Sequence, residues 1–543
     1  MPTSPTWWHL PTAFHKVNMK PLIHTLLISA AAIVAVSCKP DAVVPTDSVD
    51  LKANAPIYPD YSNVVVPPNI APLNFMVREE GDEFVCQLTT KDGKHELVTA
   101  AGEDGKFNID TLEWRNLLQE CRGSDIYVNV FAHRNGKWLH YPTFNITVAP
   151  EEIDPYLTYR LIEPSYELYR QLGIYERCLS NFEERPVYEN GDLYSEGNNH
   201  CINCHTPQQY GTGGASLFHV RGDHGGTIFI HGDKVERINM KNDSTLGNAV
   251  YPAWHPEKPW IVFSSNLTGQ AFHITNTDKI EVIDFGSDLV FYDVEANKIS
   301  NVLKTTTEME TFPTWAPDGK RLYYCSSTFT PLGEVPDTLQ GEDRNLACSD
   351  SVLTHFDEVR YRLMTLDFDE SSKRFSAPRL LLDCPAIEKS ATLPRVSPDG
   401  RWLLFTMGDY GQFHIWHKSS DLYLMDLHAV EKGVPPTEAY RPLTNANSSN
   451  VESYHTWSSN GRWIVFSSRR DDGSFTRPYI CYFDAEGKEY KPFLLPQEDP
   501  EMNLSRTKSY NIPEFAKHPV KASFDDIRRA VYDDEAVRRV KTQ

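Results

Sequence analysis

Phe312-Pro313-Thr314-Trp315-Ala316-Pro317-Asp318-Gly319, followed by the apolar run Leu322-Tyr323-Tyr324-Cys325-Ser326-Ser327, decides the fold. It reads as strand, tight turn, strand: proline fixes φ, aspartate hydrogen-bonds its own turn, and glycine supplies the position with φ > 0. The same phrase recurs three times. Tyr251-Pro252-Ala253-Trp254-His255-Pro256 precedes Trp260 to Ser265, Leu393-Pro394-Arg395-Val396-Ser397-Pro398-Asp399-Gly400 precedes Trp402 to Phe405, and Tyr454-His455-Thr456-Trp457-Ser458-Ser459-Asn460-Gly461 precedes Trp463 to Ser468. Each unit then offers a further strand ending in aspartate, at Asp293, Asp367, Asp426 and Asp484. Recurring four-stranded units separated by variable inserts predict a β-propeller.

These phrases resemble the WD-like repeats of TolB-type propellers over residues 215 to about 525. The resemblance implies a binding platform and carries over no catalytic residues. His219 to Ile230 is expected to open the first blade without a Pro-Asp-Gly turn of its own. Unit starts lie about 60 to 80 residues apart, against roughly 40–45 for such repeats. Long inserts and six blades are therefore expected, with five or seven as alternatives. Trp254, Trp315 and Trp457 read as packing between blades. The tight turns should share one face and the inserts the other, where His273, His355, His414, Trp416, His417, Arg469, Arg470 and Arg477 offer a surface for a polar ligand or a protein partner.

Upstream, residues 69–150 alternate apolar and polar in short runs such as EFVCQLTT and IYVNVFAH, and predict a small β-sandwich. Thr111 to Cys121 keeps helical spacing within it. Residues 39–68 read as a tether. Residues 151–214 read as a tyrosine-rich connector with a helix over 165–180, and residues 526–543 as a C-terminal tail.

Inside the connector stands Cys201-Ile202-Asn203-Cys204-His205. Two thiols three residues apart with a following histidine form the c-type haem attachment signature: Cys201 and Cys204 hold the porphyrin as thioethers, and His205 ligates its iron. A CxxC disulfide and half of a zinc site are the alternatives. No second CxxC or HxxxH follows for zinc. His219 is the expected second axial ligand, with His224 as the alternative. One haem c is the expected cofactor.

The haem reading requires export. Residues 1–38 read as a leader and lipoprotein signal, with translation starting at Met19. Leu22 to Ser37 is apolar and short for a membrane span, and Ala35-Val36-Ser37-Cys38 resembles a bacterial lipoprotein signal with Cys38 as the lipidated residue, although that pattern usually has Leu where Ala35 stands. An ordinary secretory leader is the alternative. A net charge of −21 spread along 543 residues leaves no basic patch for nucleic acid, and membrane contact is expected through the lipid alone. Seven other cysteines are an odd number, too sparse for a disulfide scaffold. No GxSxG elbow, HExxH or P-loop is present. Two functions are therefore carried forward: a lipid-anchored envelope cytochrome with a docking propeller for a redox partner, and a TolB-like scaffold in which the CxxC is structural.

Overall fold

The computed structural model describes residues 42–542, apart from 164–168, 192–199, 277, 332–334 and 337. Cys38 and the whole leader lie outside the described residues.

The protein is mainly β. Its N-terminal part pairs a seven-stranded sheet with a three-stranded one. The amphipathic helix Thr111–Glu120 starts at Asp110, whose side chain accepts from the amides of Leu112 and Glu113, and it buries Trp114, Leu117 and Leu118. The expected tether does not hold past residue 47. Ser48–Asp50 pairs with Lys137–His140, and Val64–Val66 pairs with Phe144–Val148, both in parallel. Val64, Val65 and Val66 are buried, since three consecutive valines are well placed in a strand covered on both faces.

Six further sheets follow, each a four-stranded antiparallel meander in its main path. Sheet I joins Ser509–Ala516 to Tyr156–Ile162, Gly173–Cys178 and Glu184–Glu189. Sheet II begins at His200–Pro207, sheet III at Ala249–Trp254, sheet IV at Met309–Trp315, sheet V at Ser390–Val396 and sheet VI at Glu452–Trp457. The six inner strands converge on one channel, because Cys204, Tyr251, Phe312, Leu393, Tyr454 and Ile512 all line a single small cavity. This is a β-propeller, closed by a C-terminal strand inserted into the sheet that begins the ring.

The expected boundaries shift accordingly. The connector is strand: all of sheet I but its inner strand, and the first strand of sheet II, fall within 151–214. The helix expected over 165–180 is, in its described part, a single 3-10 turn at Tyr169–Gln171 followed by the strand Gly173–Cys178, where Ile174, Glu176 and Cys178 alternate against Tyr156–Ile162. The propeller begins near Tyr156, not at 215. The tail is not loose either. Helix Phe524–Tyr532 packs on sheets I and II, and Arg538–Arg539 and Lys541–Thr542 add parallel pairs to the outer edges of sheets II and III, covering edges that would otherwise invite pairing.

The repeat's local chemistry explains the ring. In three turns glycine takes φ of 67°, 76° and 67° at Gly319, Gly400 and Gly461. Asp318, Asp399 and Asn460 each accept from the amide two residues on. The indoles of Trp254, Trp315 and Trp457 donate to the carbonyls of Thr206, Ala253 and Arg395, one sheet back, at 3.4, 3.1 and 3.1 Å. They are packing residues that also carry a sheet-to-sheet hydrogen bond. The sandwich shares one hydrophobic core with sheets I and VI, through Leu157, Tyr159, Tyr510, Trp463 and Val465.

Candidate functional site: the channel at Cys201 and Cys204

Each inner strand carries one non-glycine residue in the left-handed region: Cys204 at φ 54°, Tyr251 48°, Phe312 52°, Leu393 54°, Tyr454 49° and Ile512 52°. The ladder register slips by one residue at each of these places. These are β-bulges, which re-aim side chains and bend the strand toward the axis. Proline follows at 252, 313, 394 and 513, and histidine at 205 and 455. Cys204-His205-Thr206 therefore occupies the repeat position of Tyr454-His455-Thr456. The motif sits on a strand of the ring, not in a connector between two domains, and this equivalence was the sequence signal for a sheet beginning at residue 200.

The bulge divides the motif between two spaces. Cys201 and Cys204 line a cavity of about 370 Å³ on the insert side of the channel, walled also by Thr268, Gln270, Trp416 and Arg469. Cys204 and His205 line the narrow waist of about 50 Å³ ringed by the six bulges. At the other mouth a cavity of about 530 Å³ is lined by the turn residues Pro256, Pro317 and Pro398. Tight turns and inserts thus face opposite mouths. Both thiols are free, and burial pushes the Cys204 thiol up. His205 is 6% exposed, neither ring nitrogen finds a hydrogen-bond partner, and burial lowers its pKa to about 4. The backbones of Thr158 and Ile512 approach the ring without reaching good hydrogen-bond geometry.

The two expected second ligands do not line the thiol cavity. His219 pairs with Asn203 across the strands and is 2% exposed. It lies on the side of sheet II that Leu217 and Phe229 pack against sheet III. Its ring nitrogens are also without partners, and burial lowers its pKa to about 3. His224 sits in a turn, with Nδ1 3.1 Å from Asp534 and its ring against Tyr532. Among the described residues, no three His, Cys, Asp or Glu side chains converge as metal ligands.

Of the insert residues expected to form a binding surface, Trp416 and Arg469 reach the cavity, the guanidinium lying 3.5 Å over the indole ring. Others are structural. Arg477 is 1% exposed and donates to the carbonyls of Asn503, Arg506 and Lys508. His417 Nε2 lies 3.0 Å from Glu281, both fully buried. Arg160 and Arg221, which the sequence did not single out, stand on the cavity wall beside the thiols. Their strands were placed outside the propeller or at its start, so no pattern marked them.

The residues present fit a covalently held haem in part: the thiols share a cavity, while His205 lines the waist and a neighbouring pocket instead of that cavity. Two thiols open on one cavity of ligand size, cationic side chains stand beside them, and an unpartnered buried imidazole follows the second thiol.

No family model matches the chain, and no curated protein matches it. Among solved structures it is similar to the β-propeller domain of the Trilobed protease from Pyrococcus furiosus, at 9% identity over 76% of this chain and 95% of that one, TM-score 0.29. It is also similar to prolyl oligopeptidase B from Galerina marginata, at 10% identity over 68% of this chain and 42% of that one, TM-score 0.33. An oligogalacturonate lyase in complex with manganese gives 11% identity over 63% and 74%, TM-score 0.31. Likeness at this level carries no argument about activity. The propeller is read from the sheets themselves.

Proposed function

We propose that this is an exported envelope protein, anchored through a lipid on Cys38, that carries one c-type haem on Cys201 and Cys204 and acts in electron transfer or redox sensing. The observation that carries the reading is that both thiols of the motif open on one cavity inside a propeller channel. Cys201 and Cys204 would hold the haem as thioethers, each thiol adding its sulfur and its hydrogen across one vinyl double bond with no oxidant consumed. When bound, the haem supplies a one-electron iron couple. Cys201 and Cys204 would fix its position and the walls of sheets I to III and VI would limit water, while His205 would have to turn from the waist toward the thiol cavity to ligate the iron. The insert face surrounds the cavity mouth and is the surface on which a redox partner docks.

The test is a haem-stained denaturing gel with a reduced pyridine haemochrome spectrum, on protein matured in a host with c-type attachment machinery. Stain that survives denaturation, and is absent from Cys201→Ala/Cys204→Ala, is the expected result. No covalent haem in the wild type overturns the reading. Lipid anchoring is checked separately by moving Cys38→Ser into the soluble fraction.

One observation favours a second reading. Cys204-His205 fills a position that every sheet of the ring occupies with a bulge, so propeller geometry alone accounts for its backbone. In that reading the protein is a TolB-like scaffold, and Cys201→Ala/Cys204→Ala leaves partner capture on the insert face unchanged.

A further inference from the structure

The insert-side cavity concentrates positive charge in a chain of net charge −21. Arg160, Arg221 and Arg469 line it, and Glu163 is the carboxylate on its wall, 3.9 Å from Lys508. Elsewhere several arginines of the ring meet acids directly: Arg395 meets Glu514 at 2.8 Å, Arg441 meets Glu489 at 2.8 Å and Arg506 meets Glu184 at 3.1 Å. Arg160, like the buried Arg177 and Arg477, is held by neutral oxygens instead. It is 7% exposed, Nη1 donates to the carbonyl of Ile202 at 3.0 Å, Nη2 reaches the Asn511 amide oxygen at 3.1 Å, and Nε has no partner. Arg221, opposite Cys201 in the ladder, makes no hydrogen bond or ion pair among the described residues, and the buried Asp284 is the carboxyl whose field reaches it. Asn203, 9% exposed, lines the same cavity with its side-chain oxygen unpartnered.

A buried guanidinium such as that of Arg160, held by neutral acceptors alone, is costly, and a planar fork of donors matches a carboxylate in two-point contact. We infer that Arg160 and Arg221 are the recognition pair for a ligand bearing two carboxylates, held in the cavity beside the thiols. Two sources share this chemistry: the propionates of a haem on Cys201 and Cys204, or a free small dicarboxylate. Only the first source rests on the function proposed above.

The experiment uses full-length Cys201→Ala/Cys204→Ala protein, with and without Arg221→Met. Arg221 makes no hydrogen bond among the described residues, so Arg221→Met is expected to keep the fold, which circular dichroism checks. Arg160→Met is the second variant. In one arm haemin and haemin dimethyl ester are titrated by absorbance; in the other, succinate is titrated by calorimetry. Haemin binding about tenfold tighter than its ester, with the preference lost in Arg221→Met, supports the inference with haem as the source. Succinate binding that disappears in Arg221→Met supports it with a free ligand as the source. Haemin and ester binding alike, together with no heat from succinate, overturns it. Covalent attachment on the wild-type gel is an independent readout: thiols that carry haem leave the arginine inference open to failure, and succinate binding through Arg221 survives a protein with no haem.

Discussion

At Ile512 the propeller places a β-branched residue at φ 52°, where branching at Cβ collides with the backbone and costs of order 1–3 kcal/mol. Leu393 fills the same place in sheet V. Ile512→Leu should therefore raise stability by a few tenths to about 1 kcal/mol, read as a higher urea midpoint with unchanged m. Buried histidines set the response to acid. His414 is held neutral, its pKa lowered to about 3 by burial and then by the neighbouring His417. Its Nδ1 accepts from Thr392 at 2.9 Å and its Nε2 donates to the Tyr410 carbonyl at 3.2 Å. His455 is likewise lowered to about 3, burial first and Arg395 second. Unfolded histidine titrates near 6.5, so these groups contribute their full stability above that pH and lose it as pH falls toward 3, by up to about 1.4 kcal/mol per pH unit each. His417 runs the other way: burial lowers its pKa, but Glu281 outweighs burial and raises it. Its contribution is complete below about 6.5 and fades as pH rises through the folded value. The melting temperature should fall steeply from pH 6.5 to 4. His455→Gln should flatten that slope, and Glu281→Gln should remove the stabilisation on the acid side of neutrality, both followed by scanning calorimetry against pH.

Among the elements, the turns separate two costs. A methyl on Gly319 would sit 2.3 Å from the His255 ring, whereas one on Gly400 meets only Pro317 at 3.9 Å, and both have φ near 70°. Gly400→Ala should cost about 1–2 kcal/mol from backbone strain alone. Gly319→Ala should cost at least ~1 kcal/mol more because the histidine must move. Trp315→Phe should cost about 1 kcal/mol for the lost bond to Ala253, and Trp315→Ala about 3–5 kcal/mol; thermal melts rank all four. Sheets III to VI were legible because each carries its own bulge phrase, and three of them its turn, within one continuous segment. Sheet I was not, because its inner strand lies some 350 residues from its partner, a separation no periodicity reports. Sheet II was legible in part: the blade expected to open over His219 to Ile230 contains its strands Ala215–Gly222 and Gly226–His231, and only its inner strand was missed. Its first strand lacks the Trp and the Pro-Asp-Gly turn, and Cys204-His205-Thr206 was legible as chemistry before it was legible as the counterpart of Tyr454-His455-Thr456. The thiols and His205 were found from spacing alone; the arginines beside them were not, because what unites them is the channel.

For the molecule as a whole, Ser509–Ala516 closes the ring, and Thr476 and Ser467 hydrogen-bond its Tyr510 carbonyl from sheet VI. Truncation after residue 507 should abolish cooperative unfolding and expose sheets I and VI to protease. Truncation after residue 533 removes the two short edge pairings on sheets II and III and the contacts of Asp534 with His224 and Arg237, and should leave the urea transition cooperative with a lower midpoint. Limited proteolysis beside urea titration distinguishes the two. The closing strand also sets an order in time. A chain made from its N-terminus holds the Cys201–His205 strand roughly 300 residues before the strand that completes the wall beside it, so the thiols are presented on an open arc throughout that interval. Whatever enters the cavity during synthesis has unhindered access, and whatever remains there when residue 516 docks is walled on that side by the closing strand and left with the insert-face mouth as its exit.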